Sequence, residues 1–255
     1  MQQLGHTRST RQATHLLHTP DTFVRAPLPG MERGVAIIHA SPALGAGFTQ
    51  YSAELEAKGC LGTTAAQRFV YVLDGEVEVH HRKNRRRLTQ SGFAYLPQDC
   101  RHTVVATSSA RLAVIEKPYQ TLQGVAAPGP IFSTEPDIAA QPLMGDESLQ
   151  VRSLLPADAA FDFAVNTMTY EPGAALAMVE VHVMEHGLLM LDGGGIYRLG
   201  DSWYPVAAGD FIWMAPFCPQ WFGALGKTAA KYLIYKDWNR TAVIANAWSA
   251  AQSQL

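Results

Sequence analysis

Short apolar segments dominate the pattern of hydrophobic and polar positions along the chain. Most are rich in Val, Ile, Leu, Phe and Tyr and are separated by Gly, Pro, Asp or Asn, and few runs are long enough for a helix. This pattern predicts an all-β protein. Around residues 119–160 the spacing of the strand-like runs breaks down into a segment rich in Pro, Gly and Ala. We interpret that segment as a linker between two β-domains, residues 1–125 and residues 126–255.

The two halves repeat one order of features. Each has an apolar strand, a Leu-Asp-Gly turn, a second strand, another turn, and a glycine before an aromatic-rich strand, over residues 69–97 and 187–216. A constant offset of 118 residues aligns Asp74 with Asp192, Gly75 with Gly193, Tyr95 with Trp213, and His102 with Gln220. A repeat of this length indicates duplication of a whole domain. Each copy is expected to form a closed or nearly closed β-unit.

Composition and charge narrow the possible partners. A formal charge of −2 with 16% charged residues gives no electrostatic footprint for nucleic acid or an anionic membrane, and the basic run 82–87 is expected to be a solvated hairpin tip. No stretch has the length of a membrane span, and the N-terminus lacks the apolar core of a signal peptide. The three cysteines are an odd number and far apart, which favours a reducing compartment. We therefore expect a cytoplasmic protein with a small-molecule partner.

The stretch from Glu180 to His186 carries the clearest chemistry. Glu180 and His182 are two residues apart, so on a strand both side chains leave the same face, and His186 keeps this even spacing. One carboxylate and two imidazoles on a barrel wall predict a divalent-metal site, because a cation compensates their desolvation. The alternative is that the histidines bond to backbone carbonyls. Glu185 has the opposite parity and is expected to face away, at the surface or behind the ligands.

A fourth metal ligand is expected from a later strand that crosses the same interior. Gln220 follows the apolar run 211–214 and offers a neutral amide oxygen. Two nitrogen and two oxygen ligands with open positions suit Mn²⁺ or Fe²⁺ better than a closed tetrahedral Zn²⁺ site. The sequence therefore predicts Mn²⁺, with Fe²⁺ as the alternative.

These residues resemble the cupin signature, Gly-x5-His-x-His-x3,4-Glu-x6-Gly followed by Gly-x5-Pro-x-Gly-x2-His-x3-Asn. The positions of its four ligands and of its closing glycine are taken by Glu180, His182, His186, Gln220 and Gly193. Ala215 and Phe217 stand where proline and glycine are expected. The resemblance implies a bicupin, with two tandem jelly-roll β-barrels.

The first half departs from the signature at the ligands. The first three ligand positions are Gly62, Thr64 and Arg68, and only His102 remains. The domain over residues 1–125 is therefore expected to be a degenerate cupin without a metal site. The domain over residues 126–255 is expected to be the metal-binding cupin.

A narrower resemblance covers almost the whole chain. The order Glu-x-His-x3-His and then Gln, with Tyr-Leu-Ile-Tyr-Lys-Asp-x-Asn-Arg at residues 232–240, is similar to the (S)-ureidoglycine aminohydrolase family. The resemblance implies a manganese-dependent homo-oligomeric bicupin of purine and allantoin catabolism that converts (S)-ureidoglycine to (S)-ureidoglycolate and ammonia. It further implies that Tyr197, Tyr232, Lys236 and Glu180 contact the substrate. Lys236 and Glu180 are the candidates for proton transfer.

Three alternative functions stay open. An iron-dependent bicupin dioxygenase uses the same carboxylate-and-histidine set, although Gln220 in place of a third histidine argues against it. A non-enzymatic ligand-binding bicupin would bind its ligand without turnover. An isomerase or epimerase acting on a sugar or keto acid is a further alternative, because a fold does not fix a function.

Overall fold

The structure, a computed structural model, describes residues 6–240 and divides them into two compact units. The first unit is Phe23–Ala139, and the second combines residues 6–22 with residues 140–240. Single 3-10 turns lie at Pro20–Thr22, Pro42–Leu44 and Glu135–Asp137. No helix in the described part of the chain is long and apolar enough to cross a membrane. The all-β prediction is confirmed.

The strands are numbered in chain order. Up to residue 134 they are β1 (Thr10–Arg11), β2 (His15–His18), β3 (Glu32–Ala40), β4 (Thr49–Leu61), β5 (Gln67–Asp74), β6 (Glu76–His81), β7 (Asn84–Thr89), β8 (Gly92–Leu96), β9 (His102–Ala106), β10 (Ala110–Lys117) and β11 (Ile131–Thr134). The later ones are β12 (Gln141–Leu143), β13 (Asp146–Ser153), β14 (Phe163–Tyr170), β15 (His186–Asp192), β16 (Gly194–Leu199), β17 (Ser202–Ala207), β18 (Phe211–Met214), β19 (Gln220–Ala224) and β20 (Ala230–Asp237).

The first unit contains one antiparallel sheet, in which nine described strands take the order β11-β8-β5-β10-β4-β9-β6-β7 and β3 also pairs with β4. The long strand β4 curls this sheet, because it pairs with β10 through Thr49–Leu55 and with β9 through Cys60 and Leu61. Inward side chains of β4, β5 and β10, with those of the neighbouring strands, form the apolar core. The predicted hairpin tip is confirmed at Arg82, and the following arginines lie exposed on edge strand β7, where charge opposes edge-to-edge association.

The second unit contains two sheets. Eight described strands take the order β1-β2-β18-β15-β20-β14-β13-β12, and three more take the order β17-β16-β19. Tyr170, Tyr197, Phe222 and Tyr232 belong to the buried cluster between them, which also includes Leu17 of β2. The candidate site lies among these strands.

The observed division differs from the predicted boundary at residue 125. Residues 6–22 belong to the second unit because β2 pairs with β18 and the Arg8 guanidinium binds the buried Asp210 carboxylate at 2.5 and 2.9 Å. Residues 126–139 belong to the first unit because β11 pairs with β8. The predicted linker over residues 119–160 is irregular only in part, since β11, β12 and β13 lie within it.

The repeated Asp-Gly turn has the same backbone requirement in both units. Gly75 follows β5 with a φ of +78°, and Gly193 follows β15 with a φ of +63°. A Cβ at Gly75 would lie 2.1 Å from the carbonyl oxygen of Ser109, and one at Gly193 would lie 2.6 Å from that of Ala229. Both the left-handed conformation and the close backbone approach therefore require glycine.

Candidate metal centre

A backbone bridge holds Glu180 beside Gln220. The Glu180 amide donates to the Gln220 carbonyl at 2.8 Å, and the Gln220 amide donates back at 2.9 Å. Gln220 opens β19, whereas residues 181–185 belong to no strand and bend at residues 183 and 184. The stretch from Glu180 to His186 is therefore not one continuous strand, and the chain turns before it enters β15 at His186. The residues meet through this bridge and through the Phe217 amide, which donates to the His182 carbonyl at 2.6 Å.

Three of the four predicted ligand side chains lie close together, and Gln220 is brought beside them by its backbone bridge to Glu180. His182 Nε2 is 3.1 Å from Glu180 Oε2, and the rings of His182 and His186 are 5.3 Å apart between centroids. His186 and Gln220 are buried, while Glu180 and His182 are partly exposed. The Tyr197 hydroxyl donates to Gln220 Oε1 at 3.1 Å. The arrangement is a wall of mixed nitrogen and oxygen donors that opens toward solvent at Glu180 and His182.

The chemistry of these donors fits a divalent cation. Among residues 6–240, no three His, Cys, Asp or Glu side chains stand in the geometry of an assembled metal centre. However, Nδ1 of His186 is buried and makes no hydrogen bond, which is costly for a polar atom unless a ligand satisfies it. Burial, and then Lys236 and His182, hold the pKa of His186 well below its ordinary value. The imidazole is therefore neutral, the form that binds a metal.

Lys236 lies beside this wall. It is the cross-strand partner of His186 between β20 and β15, and it is partly buried. Burial lowers the pKa of Lys236, and the Glu180 carboxylate opposes that shift. An amine with a lowered pKa gives up its proton more readily than an exposed lysine, which suits a group that transfers protons.

Tyr232 lies four residues before Lys236 on β20. Its hydroxyl is hydrogen-bonded to that of Tyr170, a residue that was not predicted from the sequence. Tyr232 and Tyr170 are buried with their hydroxyl oxygens 2.7 Å apart. Tyr170 ends β14, and its ring packs edge-on against Phe222 at 4.8 Å. The signal available in the sequence was the alternating pattern of β14, which ends in a tyrosine before Glu-Pro-Gly.

Glu185 was expected at the surface or behind the ligands, and the structure shows a buried side chain. It is not at the surface, because its side chain is buried and Oε2 accepts a hydrogen bond of 3.2 Å from Trp213 Nε1. Glu185 follows the bend and precedes β15 directly, so its side chain is enclosed next to Trp213 of β18. It helps to anchor the start of β15, where His186 lies.

In the first unit the Arg68 guanidinium connects positions that correspond to the proposed metal ligands of the second unit. These positions are Gly62, Arg68 itself and His102. Arg68 Nη1 donates to the Gly62 carbonyl at 2.8 Å and to His102 Nε2 at 3.0 Å, and Arg68 Nε donates to Glu116 Oε1 at 2.7 Å. His102 Nδ1 donates to the Cys100 carbonyl at 2.6 Å. The Arg68 cation is satisfied by these partners, so this part of the interior of the first unit is filled by an internal ion pair.

Two plant proteins similar to this chain share one functional name. The chain is 41% identical over 245 residues to the "probable (S)-ureidoglycine aminohydrolase" of Oryza sativa, covering 94% of this chain and 78% of the relative. It is 41% identical over 241 residues to the (S)-ureidoglycine aminohydrolase of Arabidopsis thaliana, covering 92% and 80%. No protein-family model matches the chain.

Solved structures give the same fold. The crystal structure of protein Ylba from E. coli matches with a TM-score of 0.81 at 27% identity, covering 92% of this chain and 96% of that one. Oxalate decarboxylase of Bacillus subtilis matches with a TM-score of 0.69 at 11% identity, covering 92% and 80%, and so shows the fold alone. These neighbours are cupin proteins. By its identity to the plant relatives over most of both lengths, the chain belongs to the (S)-ureidoglycine aminohydrolase family.

Proposed function

We propose that this protein hydrolyses (S)-ureidoglycine to (S)-ureidoglycolate and ammonia. The observation that carries the proposal is the convergence of Glu180, His182, His186 and Gln220 beside Lys236, in a chain 41% identical to relatives with this activity in their names. We further propose that the two units are tandem jelly-roll barrels and that the second one holds the active site. The internal repeat and the cupin neighbours support this division.

The proposed cofactor is Mn²⁺, with Fe²⁺ as the alternative. Glu180, His182, His186 and Gln220 would hold it, because carboxylate, imidazole and amide oxygen together suit a divalent cation that keeps open positions. When bound, the cation supplies charge that orients and polarises the substrate. Tyr197 supports this set, since its hydroxyl donates to Gln220 Oε1 and fixes the orientation of that side chain.

The reaction exchanges one bond at the substrate's central carbon. A C–N bond breaks, a C–O bond forms, the attacking water gives up a proton, and the departing amine gains one. Lys236 is proposed to carry the proton from the attacking water to the departing amine. Burial lowers the pKa of Lys236, while the neighbouring Glu180 favours the protonated form of the lysine. Glu180 is the second candidate for proton transfer, and Lys236 in its charged form also pairs with the substrate carboxylate.

Tyr197 and Tyr232 differ in what they can offer a substrate. The proton of Tyr197 is donated to Gln220, so this residue acts on the substrate through a proposed metal ligand. Within residues 6–240 the Tyr232 hydroxyl is hydrogen-bonded only to Tyr170, and it stays protonated because burial raises its pKa well above the ordinary value. Tyr232 is therefore the proposed hydrogen-bond donor to the substrate's carboxylate or ureido oxygen.

The test is ammonia release from freshly prepared (S)-ureidoglycine by metal-stripped protein, with and without added Mn²⁺. His182→Ala is compared with His80→Ala, because His80 makes the same contact with a glutamate two residues earlier, Nε2 to Glu78 Oε2 at 2.6 Å, in the first unit. We expect Mn²⁺-dependent release by the wild type and His80→Ala and background release by His182→Ala. Release at the background rate by all three proteins would remove the proposed function, and oxygen consumption would favour the iron-dependent dioxygenase.

The homo-oligomer and the cytoplasmic location stay predictions. Support for self-association comes from apolar side chains that lie exposed near the site, Val181 at 56% and Phe217 at 59%. Light scattering of the purified protein, with a mass above that of one chain as the expected result, tests the oligomer.

A further inference from the structure

Tyr170 and Tyr232 form a fixed hydroxyl pair in the interior of the second unit. Their side chains are 0% and 2% exposed, and their oxygens lie 2.7 Å apart. Phe222 packs edge-on against both rings, at 4.8 Å from Tyr170 and 5.8 Å from Tyr232. Neighbouring strands β14 and β20 carry the two residues. Neither hydroxyl can therefore turn away from the other without repacking the core.

The two tyrosines carry one more O–H donor than their mutual hydrogen bond uses. Each tyrosine carries one O–H proton, and the hydrogen bond between the two oxygens uses one of them. Within residues 6–240 no other hydrogen bond reaches either hydroxyl. Both groups keep their protons, because burial raises the pKa of each. One buried O–H therefore lacks an acceptor, which is unfavourable unless a ligand supplies one.

The hydrogen bond between the two hydroxyls can run in either direction, and the sheet order shows which hydroxyl lies on the strand nearer to His186. His186 lies on β15, Lys236 on the adjacent β20, and Tyr170 on β14 beyond it. Tyr232 is on β20, the strand next to that of His186, and shares β20 with Lys236. If Tyr170 donates to Tyr232, the unused proton belongs to the hydroxyl nearer the substrate.

We propose that Tyr170 is a positioning residue: its hydroxyl donates to Tyr232 and directs the remaining Tyr232 proton to the substrate's carboxylate or ureido oxygen. This inference rests on the proposed function. It assigns different tasks to the three tyrosines, because Tyr197 orients Gln220, Tyr232 contacts the substrate, and Tyr170 acts only through Tyr232. Removal of the Tyr170 hydroxyl leaves the Tyr232 hydroxyl free to rotate, so the donor is lost as a preorganised contact.

The experiment is a double-mutant cycle with Tyr170→Phe, Tyr232→Phe and the double variant. Steady-state ammonia release gives kcat and KM separately for (S)-ureidoglycine with saturating Mn²⁺. We expect each single variant to lower kcat/KM by about tenfold, mainly through KM, which is the size of one well-placed hydrogen bond. The double variant should equal Tyr232→Phe, because Tyr170 has no other route to the substrate.

Tyr95→Phe is the matched control. Tyr95 is fully buried in the first unit, and its hydroxyl donates to Gln67 Oε1 at 2.8 Å, so the same atom and a comparable hydrogen bond are removed. Its thermal unfolding should shift about as much as that of Tyr170→Phe, with kcat/KM unchanged. This comparison separates loss of stability from loss of positioning.

Two results would overturn the proposal. One is a Tyr170→Phe variant with wild-type KM while Tyr232→Phe is impaired, and the other is a double variant whose loss is the product of the two single losses. In both cases the wild type is active, so the proposed function stands and only the role of Tyr170 falls. A wild type without ammonia release removes the proposed function and this inference together.

Discussion

Protonation of His102 is expected to break the buried network that fills the first unit. Nδ1 donates to the Cys100 carbonyl, so in the neutral ring the lone pair of Nε2 accepts the hydrogen bond from Arg68. A proton on Nε2 would face the guanidinium directly. Burial, followed by the charge of Arg68, lowers the pKa of His102 from 6.5 to about 4. The informative perturbation is His102→Gln, because a glutamine can accept from Arg68 and donate to Cys100 without titrating.

The sign and size of the effect follow from this shift. Since the folded pKa lies below that of the unfolded chain, the unfolded chain binds the proton first as the pH falls. The contribution of neutral His102 to the free energy of unfolding is fully present above about pH 6.5, and it is lost progressively as the pH falls through about 4. The interval from 6.5 to about 4, at about 1.36 kcal/mol per pH unit, corresponds to about 3 kcal/mol of unfolding free energy.

The assay is urea unfolding of the wild type and His102→Gln at pH 7.5 and pH 4, followed by circular dichroism. Tryptophan fluorescence would not serve, because all five tryptophans lie after residue 200 and the described ones belong to the second unit. Other buried histidines titrate in both proteins and cancel in the comparison. We expect the wild type to lose about 3 kcal/mol more than the variant. Equal losses would refute the assignment of a buried, neutral His102.

Three further predictions concern the second unit. Lys236→Met should lower kcat for ammonia release by about a hundredfold, the size of a lost proton-transfer group, and an unchanged kcat would exclude this role. His186→Ala should contain no manganese by elemental analysis, whereas the wild type should hold one ion per chain, since Arg68 fills the first unit. Arg8→Ala leaves the buried Asp210 carboxylate without its cation and should lower the unfolding free energy by about 2 kcal/mol in urea followed by tryptophan fluorescence; a change below about 0.5 kcal/mol would contradict this.

The fold class and the repeat could be predicted because they depend on local patterns. Short apolar runs separated by turn residues are typical of strands, and the Asp-Gly turns at Gly75 and Gly193 require glycine in both units for the same steric reason. The residues proposed as ligands could be selected from the sequence because a carboxylate and two imidazoles in so short a stretch are uncommon among strands. The structure then places them near one another, although the stretch that carries them is bent and not a strand.

Contacts between distant parts of the chain could not be predicted. The pairing of β2 with β18 joins residues about 200 positions apart, and nothing near His15 indicates its partner. The same holds for Arg8 with Asp210 and for Tyr170 with Tyr232, whose hydrogen bonds depend on three-dimensional packing. Whether Glu185 lies at the surface or behind the ligands could not be decided from the sequence, because the parity rule holds only on a regular strand and the chain bends just before this residue.

The handedness of the product tests the central claim most directly. Ureidoglycolate formed from (S)-ureidoglycine by the Mn²⁺-loaded protein is analysed by chiral chromatography beside the spontaneous reaction and His186→Ala. A site that holds the substrate by several contacts delivers water to one face of the reacting carbon, so we predict the (S) enantiomer from the wild type alone. Racemic product from the wild type, at the rate of the spontaneous reaction, would contradict an aminohydrolase site in the second unit.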